Sequence, residues 1–134
     1  MMRYCRTVML GAIAAAIGIV QVQAQPGETS TKRNQCFFLN QMDGWRAPDE
    51  KTLYIRAGLN RYYRLDLSGA CHKLKWPGAH LITKARGSDT VCSPLDWDLS
   101  VAETPDGIPE QCIVKAMTPL TPEEVAAIPQ PFKP

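Results

Sequence analysis

The sequence has few of the features that identify an enzyme or a membrane protein. It contains two histidines in 134 residues, and it shows no phosphate-binding loop, nucleophile elbow, zinc motif or N-glycosylation sequon. Its longest apolar run is shorter than the roughly 20 residues that a membrane-spanning helix requires. We therefore expect a protein without a cofactor, a bound metal or a membrane anchor.

A basic excess is also missing once the N-terminal leader is set aside. The full chain has 15 Lys and Arg against 13 Asp and Glu, and two of the arginines, Arg3 and Arg6, belong to the leader. Without these two, 13 basic residues stand against 13 acidic ones. Proteins that neutralise several phosphates usually carry a basic stripe, so the balance argues against a nucleic-acid partner.

Residues 1–24 have the pattern of a secretory signal peptide. Two arginines precede an apolar run from Val8 to Val20, and small residues lead to a cleavage site near Ala24. We predict a mature protein in the periplasm or secreted from the cell, with no membrane anchor after cleavage. Residues 25–35 are polar and predict a flexible lead-in.

Four cysteines remain after the leader, which carries Cys5. They are Cys36, Cys71, Cys92 and Cys112, separated by 35, 21 and 20 positions. Zinc ligands generally come in close pairs, whereas an even number of widely spaced cysteines in an exported domain predicts disulfides. Of the three possible connectivities we prefer Cys36 with Cys112, tying the domain's ends together, and Cys71 with Cys92, bracing a central loop.

The segment from Thr52 to Leu67, TLYIRAGLNRYYRLDL, predicts a β-hairpin. Its strand register must bring the two apolar sets together, because a slip of one residue moves a whole set to the wrong face. A three-residue loop, Gly58–Leu59–Asn60, achieves this by pairing Ile55 with Tyr63. It also places Asn60 where such loops need a left-handed residue.

The same register arranges the outer face of the hairpin into cross-strand pairs. Tyr54 lies opposite Arg64, Arg56 opposite Tyr62, and Thr52 opposite Asp66. Pairs of this kind stabilise a sheet by about 0.2–1 kcal/mol each, here through stacking of guanidinium groups on aromatic rings. We favour the interpretation that the side chains of this face pair only with one another. A surface that contacts a protein or glycan is the second alternative, and a nucleic-acid site is the least favoured.

Short strands with turns between them continue along the chain. The predicted strands are Cys36–Met42, His80–Ala85 and Thr90–Ser93 joined by RGSD as a second hairpin, Asp96–Val101 and Cys112–Met117. One short helix begins in TPEEVAAI, with Thr121 as N-cap and Glu124 completing a capping box. The sequence thus predicts one all-β domain over residues 36–128, a small disulfide-braced barrel or sandwich of about six antiparallel strands with one short C-terminal helix, followed by a Pro-rich tail, 129–134.

Candidate catalytic groups are scarce. Asp96 and Asp98 flank Trp97 and offer a carboxylate pair for acid–base chemistry or metal binding, although alternating strand positions are also where solvated side chains belong. The histidines, His72 and His80, are interpreted as ordinary surface residues because nothing in the sequence places them beside a carboxylate. We predict no catalytic residue.

The connection Gly44–Glu50, GWRAPDE, is the leading candidate for a binding surface. Trp45, Arg46 and Asp49 could present an anchor to a partner, since Trp and Arg are enriched at binding hot spots. We favour the alternative in which Trp45 packs into the end of the domain and Arg46 pairs with Asp49, because large aromatic side chains are usually mostly buried.

Several stretches together resemble a known family. They are CFFLNQMDGWRAPDEKTLYIRAG, the YYRLDL strand leading to Cys71, VCSPLDWDL and CIVKAMTPLTPEE. This succession resembles a family of small exported proteobacterial proteins of unknown function with four cysteines in the mature domain. Some of its members are lipoproteins, and this sequence departs from them in lacking the lipid-modified cysteine.

The resemblance implies export and a bacterial origin but no activity. We expect a non-enzymatic module that binds or stabilises an envelope component, with an envelope or secreted protein as a possible partner. The alternatives are a small hydrolase using Asp96 and Asp98, with help from His80, and an inhibitor of a secreted enzyme.

Overall fold

The computed structural model describes residues 35–134, so the predicted signal peptide and nearly all of the lead-in lie outside the described residues. Residues 35–134 form nine strands and one α-helix. The strands are β1 (Phe37–Phe38), β2 (Met42–Arg46), β3 (Thr52–Ala57), β4 (Arg61–Leu67), β5 (His80–Ala85), β6 (Thr90–Val91), β7 (Trp97–Ala102), β8 (Glu110–Cys112) and β9 (Val114–Pro119); the helix is α1 (Pro122–Ala127). Short 3-10 helices cover Leu39–Gln41, His72–Lys75, Pro94–Asp96 and Gln130–Phe132.

The strands form three antiparallel sheets. The largest has the order β2-β3-β4-β9, a second has the order β5-β7-β8, and β1 pairs with β6 in a two-stranded ribbon. The inner faces of the two larger sheets contribute to one hydrophobic core. This arrangement fits the predicted sandwich, and it confirms the all-β class with a single short helix.

Phe37 connects the two layers of the core. Its ring centroid lies 5.0 Å from that of Tyr63 on the large sheet and 5.8 Å from that of Trp97 on the three-stranded sheet. All three side chains are buried. The Tyr63 hydroxyl donates a hydrogen bond to the Cys36 carbonyl at 3.2 Å, so the polar end of this buried ring is satisfied.

The β3–β4 hairpin has the predicted register. Ile55 pairs with Tyr63, Arg56 with Tyr62, and Tyr54 with Arg64, because only this register keeps the apolar residues on the core side. The left-handed residue, however, is Gly58 at φ 64° and not Asn60. The prediction for Asn60 was wrong because glycine adopts this conformation without the steric penalty of a Cβ atom.

Two predicted strands are each divided where the chain passes from one sheet to another. The opening strand, Cys36–Met42, is interrupted by the 3-10 helix Leu39–Gln41, which leads from the two-stranded ribbon to the large sheet. The last strand, Cys112–Met117, is interrupted at the exposed residue Ile113, between β8 and β9. Hydrophobic periodicity does not reveal such a change of sheet, since the chain is extended on both sides of the interruption.

The predicted second hairpin does not form, although its strands exist. β5 pairs with β7 along six residues, whereas β6 has two residues and pairs with β1. Val91 of β6 is fully buried, and its partner in β1 is Phe37. Pairing with β7 gives β5 a partner of its own length, which the short β6 cannot offer.

The disulfides join Cys36 to Cys92 and Cys71 to Cys112, so the preferred pairing of Cys36 with Cys112 and Cys71 with Cys92 was wrong. In the β1–β6 ladder Phe37 is opposite Val91, and one step further the register places Cys36 opposite Cys92. Their Cα atoms lie 4.0 Å apart. Cys36 is therefore bonded next to strand β6, which directly precedes Cys92, and not to Cys112 at the end of β8.

The C-terminal segment folds back onto the large sheet. Thr121 and Glu124 form the predicted capping box at the start of α1, and the Leu120 N–H donates to the Tyr62 carbonyl at 2.8 Å. The tail then returns to the edge strand β2, where a methyl group at Gly44 would come within 3.7 Å of the Pro134 Cβ atom.

Candidate functional site: an aromatic cleft at the end of strand β2

The tyrosine–arginine face of the hairpin is partly covered by the chain itself. Arg64 donates from Nε to the Asp66 carboxylate at 2.9 Å. Tyr54 and Arg64 line a cavity of about 320 Å³ whose opposite wall is the end of α1, with Ala127 and the buried Ile128. The C-terminal helix therefore occupies part of the space that a partner would need on this face.

Asp96 has a structural role. Its carboxylate accepts the backbone N–H groups of Cys92 and Ser93, each at 2.8 Å, and it completes a capping box on the 3-10 helix Pro94–Asp96. These bonds to the charged form hold the pKa of Asp96 below its ordinary value. At neutral pH the group is an ionised cap, which is the opposite of a general acid.

Asp98 and His80 are held apart on the three-stranded sheet. The Arg86 guanidinium pairs with Asp98 and lowers the pKa of its carboxyl group. His80 is opposite Ala102, whereas Asp98 is opposite Lys84, so four strand positions, about 13 Å, separate the two. The structure therefore does not bring together the three groups of the hydrolase hypothesis.

Trp45 and Arg46 lie at the end of strand β2 and not in a loop, which corrects the sequence-based assignment of the whole stretch to a connection. Trp45 is half-buried and packs against the core, as favoured. Arg46 is exposed and donates from Nη1 to the Trp45 carbonyl at 2.8 Å. The carboxylate of Asp49 instead accepts the Lys51 N–H at 2.7 Å, so the expected Arg46–Asp49 pair was wrong.

Trp45 and Arg46 form one wall of a cleft of about 310 Å³, which we call the aromatic cleft. Its other walls come from the 3-10 helix before Trp76, from the loop that follows it and from the C-terminal tail. The lining residues are Trp45, Arg46, Ala47, Leu74, Lys75, Trp76, Gly78, Ala79, Pro131 and Phe132. Three aromatic and two basic residues thus line one concave site.

Lys75 holds the walls of the aromatic cleft together. Its Nζ atom donates to the Pro48 carbonyl at 3.0 Å and to the Ala47 carbonyl at 3.4 Å. The same atom lies 5.4 Å from the centroid of the Phe132 ring, a cation–π distance. One ammonium group therefore ties the 3-10 helix, the β2–β3 connection and the tail to one another.

The 3-10 helix that carries Lys75 is itself fixed at its start. Cys71, the residue before it, is disulfide-bonded to Cys112 at the end of β8. The carboxylate of Glu110, also on β8, accepts the His72 and Lys73 N–H groups at 3.2 Å and 2.9 Å. These contacts position Trp76, which follows the helix directly and is 49% exposed.

The charged residues that line the aromatic cleft are all basic. Its lining contains Arg46 and Lys75 but neither Asp nor Glu, and the acidic pair Asp49 and Glu50 lines a separate groove that shares only Lys75 with it. Lys75 already donates to two carbonyls, whereas Arg46 uses one of its five N–H donors. Arg46 is therefore the cation available to a ligand.

Trp76 and Phe132 were absent from the predicted surface. They lie 31 and 87 positions from Trp45, and the chain brings them together only through the disulfide-anchored helix and the returning tail. The local signal for Trp76 is its place before Pro77 and Gly78, since a large aromatic residue in a turn is a candidate for partial exposure.

Between residues 35 and 134, no three His, Cys, Asp or Glu side chains lie close enough to hold a metal ion. No helix in the same range is long and apolar enough to cross a membrane. The two disulfides suggest an oxidising, extracytoplasmic environment.

Fold and cleft together define a small disulfide-bonded β-sandwich with a concave aromatic site. Residues 2–130 match the model of a family of unknown function, DUF6491, and the chain belongs to that family. This match confirms the resemblance to a family without an assigned activity. Comparison with the curated proteins and with the solved structures finds no match.

Proposed function

We propose that this protein is a non-enzymatic binding domain that acts in the periplasm, or after secretion, and holds an envelope component in the aromatic cleft. The observation that carries the proposal is that one concave site is lined both by the half-exposed Trp76 and by Arg46, whose guanidinium has unused N–H donors. Trp and Arg are among the residues most enriched where binding energy concentrates.

The location rests on two independent supports. The leader pattern over residues 1–24 predicts export and cleavage near Ala24. Two disulfides in a domain of about 100 residues are typical of an oxidising compartment, where a modest core is supplemented by covalent cross-links. N-terminal sequencing of the protein purified from its native envelope is expected to begin near Gln25.

A binding role is also supported by the state of the polar groups outside the cleft. The carboxylates of Asp96 and Asp98 are each committed to structural partners. These contacts use the two carboxylates that the hydrolase alternative would have needed free. The aromatic cleft, in contrast, retains unused donors and exposed ring faces.

Site-specific photocrosslinking in producing cells tests the proposal. A benzoylphenylalanine probe at Pro131, an exposed residue of the cleft wall, should yield an adduct with an envelope component. The matched control is the same probe at Leu95, which is 76% exposed and lies outside the cleft. Substituting Trp76 or Arg46 by alanine should reduce the Pro131 adduct several-fold. Equal labelling from both probe positions would contradict the proposal.

A further inference from the structure

We propose that the occupant of the aromatic cleft is a carboxylated sugar, a pyranose ring that carries one carboxylate, as found in acidic glycans. This inference rests on the proposed binding function and adds the chemical class of the ligand. It follows from three properties of the site: the sign and number of its available charges, the shape and exposure of its aromatic walls, and its size.

The charge of the site selects an anion with a single carboxylate. Arg46 and Lys75 line the cleft without an acidic neighbour in the lining, so an anionic ligand meets complementary potential. Because Lys75 is engaged with the Pro48 and Ala47 carbonyls, Arg46 remains as the donor. A guanidinium with unused N–H groups matches a carboxylate in the planar, two-bond geometry that such pairs prefer.

The aromatic walls select a flat, partly apolar ring. Trp76 exposes half of its surface, and Trp45 and Phe132 are both partly exposed within the same cleft. Indole faces combine a large apolar contact area with a wet polar edge, which suits a pyranose ring, whose one face is lined by C–H groups and whose rim carries hydroxyls. A purely aliphatic ligand would offer the Arg46 guanidinium no anionic partner.

The volume of the cleft and the net charge of the protein argue against larger anionic ligands as the preferred occupants. A volume of about 310 Å³ lies at the lower end of the range for small-molecule sites, which suits one or two sugar units. A nucleic acid requires several phosphate contacts, whereas one available cation lines the cleft and the chain without its leader has 13 basic and 13 acidic residues.

Matched ligand pairs test the inference on the full disulfide-bonded protein by calorimetry and by NMR of the indole N–H signals. The first pair is the methyl β-glycosides of glucuronic acid and of glucose; the second is N-acetylmuramic acid and N-acetylglucosamine. The members of each pair differ by one substituent that carries a single carboxylate, at C6 in the first pair and as a lactyl group in the second. We expect tighter binding of the acidic member by about tenfold in at least one pair, with a shift of the Trp76 signal. The pair that discriminates identifies the source of the sugar.

Two variants test separately how the Arg46 guanidinium and the Trp76 indole contribute to the binding affinity. Arg46→Gln should reduce the affinity for the acidic sugar to that for its neutral partner, while Trp76→Ala should weaken both. The control is Lys115→Gln, which removes an exposed cation on β9 outside the cleft and should leave binding unchanged. Indistinguishable affinities for acidic and neutral sugars, or an Arg46→Gln variant that binds like the parent, would overturn the inference.

The photocrosslinking result distinguishes this inference from the function on which it rests. If the Pro131 probe captures a protein and no acidic sugar binds, the ligand class is wrong and the binding function stands. If neither the probe nor any sugar gives a specific signal, both are overturned. An acidic-sugar preference together with a glycan adduct at Pro131 supports both.

Discussion

Removing the disulfide between Cys36 and Cys92 by substituting both residues with alanine should destabilise the domain by about 4 kcal/mol. The two residues are 56 positions apart, and the chain-entropy model gives about 4.2 kcal/mol for closing a loop of that length at 25 °C. Both side chains are only half-buried, so replacing sulfur by hydrogen adds little loss of packing. A domain of this size has about 5–15 kcal/mol in total.

Urea unfolding followed by near-UV circular dichroism measures this loss, and the melting temperature should fall by about 15–30 °C. The Cys36→Ala/Cys92→Ala variant retains the Cys71–Cys112 bond, whose separation of 41 residues corresponds to about 3.9 kcal/mol. Adding a reductant to the variant provides the internal control and should destabilise it by nearly as much again. A loss below about 1 kcal/mol on removal of the first bond would refute the reasoning.

Peptide mapping under non-reducing conditions checks the pairing directly. Trypsin alone is insufficient, because the tryptic peptide from Gly87 to Lys115 contains both Cys92 and Cys112. A second cleavage after Glu103 separates these two cysteines. The expected products join Cys36 to Cys92 and Cys71 to Cys112, and a peptide joining Cys36 to Cys112 would contradict the structure.

Three further predictions concern single side chains. Gly58→Ala should cost about 1–2 kcal/mol in urea unfolding, because φ is 64° at this position; an unchanged free energy would show that the hairpin loop is not left-handed there. Asp96 has a depressed pKa because its carboxylate accepts backbone N–H groups, so its contribution is present above the unfolded-state pKa and is lost as the pH falls through the folded-state value; Asp96→Asn should therefore flatten the acid side of the stability profile, and a profile parallel to the parent's would contradict this. Burial raises the pKa of Tyr63, so stability should decline as the pH rises above the ordinary tyrosine value, about 10, and Tyr63→Phe should remove that part of the decline; if the alkaline profile does not respond to the substitution, the buried hydroxyl is not its origin.

The hairpin register was predictable because the information is local. A three-residue loop and two alternating strands leave one register that sorts Leu53 and Ile55 to the same side as Leu65. The helix α1 was predictable for the same reason, since Thr121 and Glu124 form their capping box within one turn.

The disulfide pairing and the change of sheet at Ile113 were not predictable from local pattern. Which cysteine meets Cys36 depends on the pairing of β1 with β6, two strands of two residues each, more than 50 positions apart in the sequence. Alternation within so short a strand carries almost no signal, because two residues define neither a period nor a register.

The aromatic cleft was half predictable. Trp45 and Arg46 are adjacent in the sequence and could be selected as a candidate surface by residue type alone. Trp76 and Phe132 join them through the disulfide-anchored helix and the returning tail, where Lys75 contacts two carbonyls and an aromatic ring. No periodicity encodes contacts of this kind, which depend on the completed tertiary structure.

The return of the tail to strand β2 has a practical consequence for handling this protein. Because Phe132 is a wall of the aromatic cleft and Pro134 packs beside Gly44, an affinity tag or reporter fused after Pro134 would start against the edge of the large sheet. Such a fusion would compete with the tail for its place and distort the very site to be assayed. A purification tag is better introduced between the leader and Cys36, which is at the other end of the mature chain from the tail.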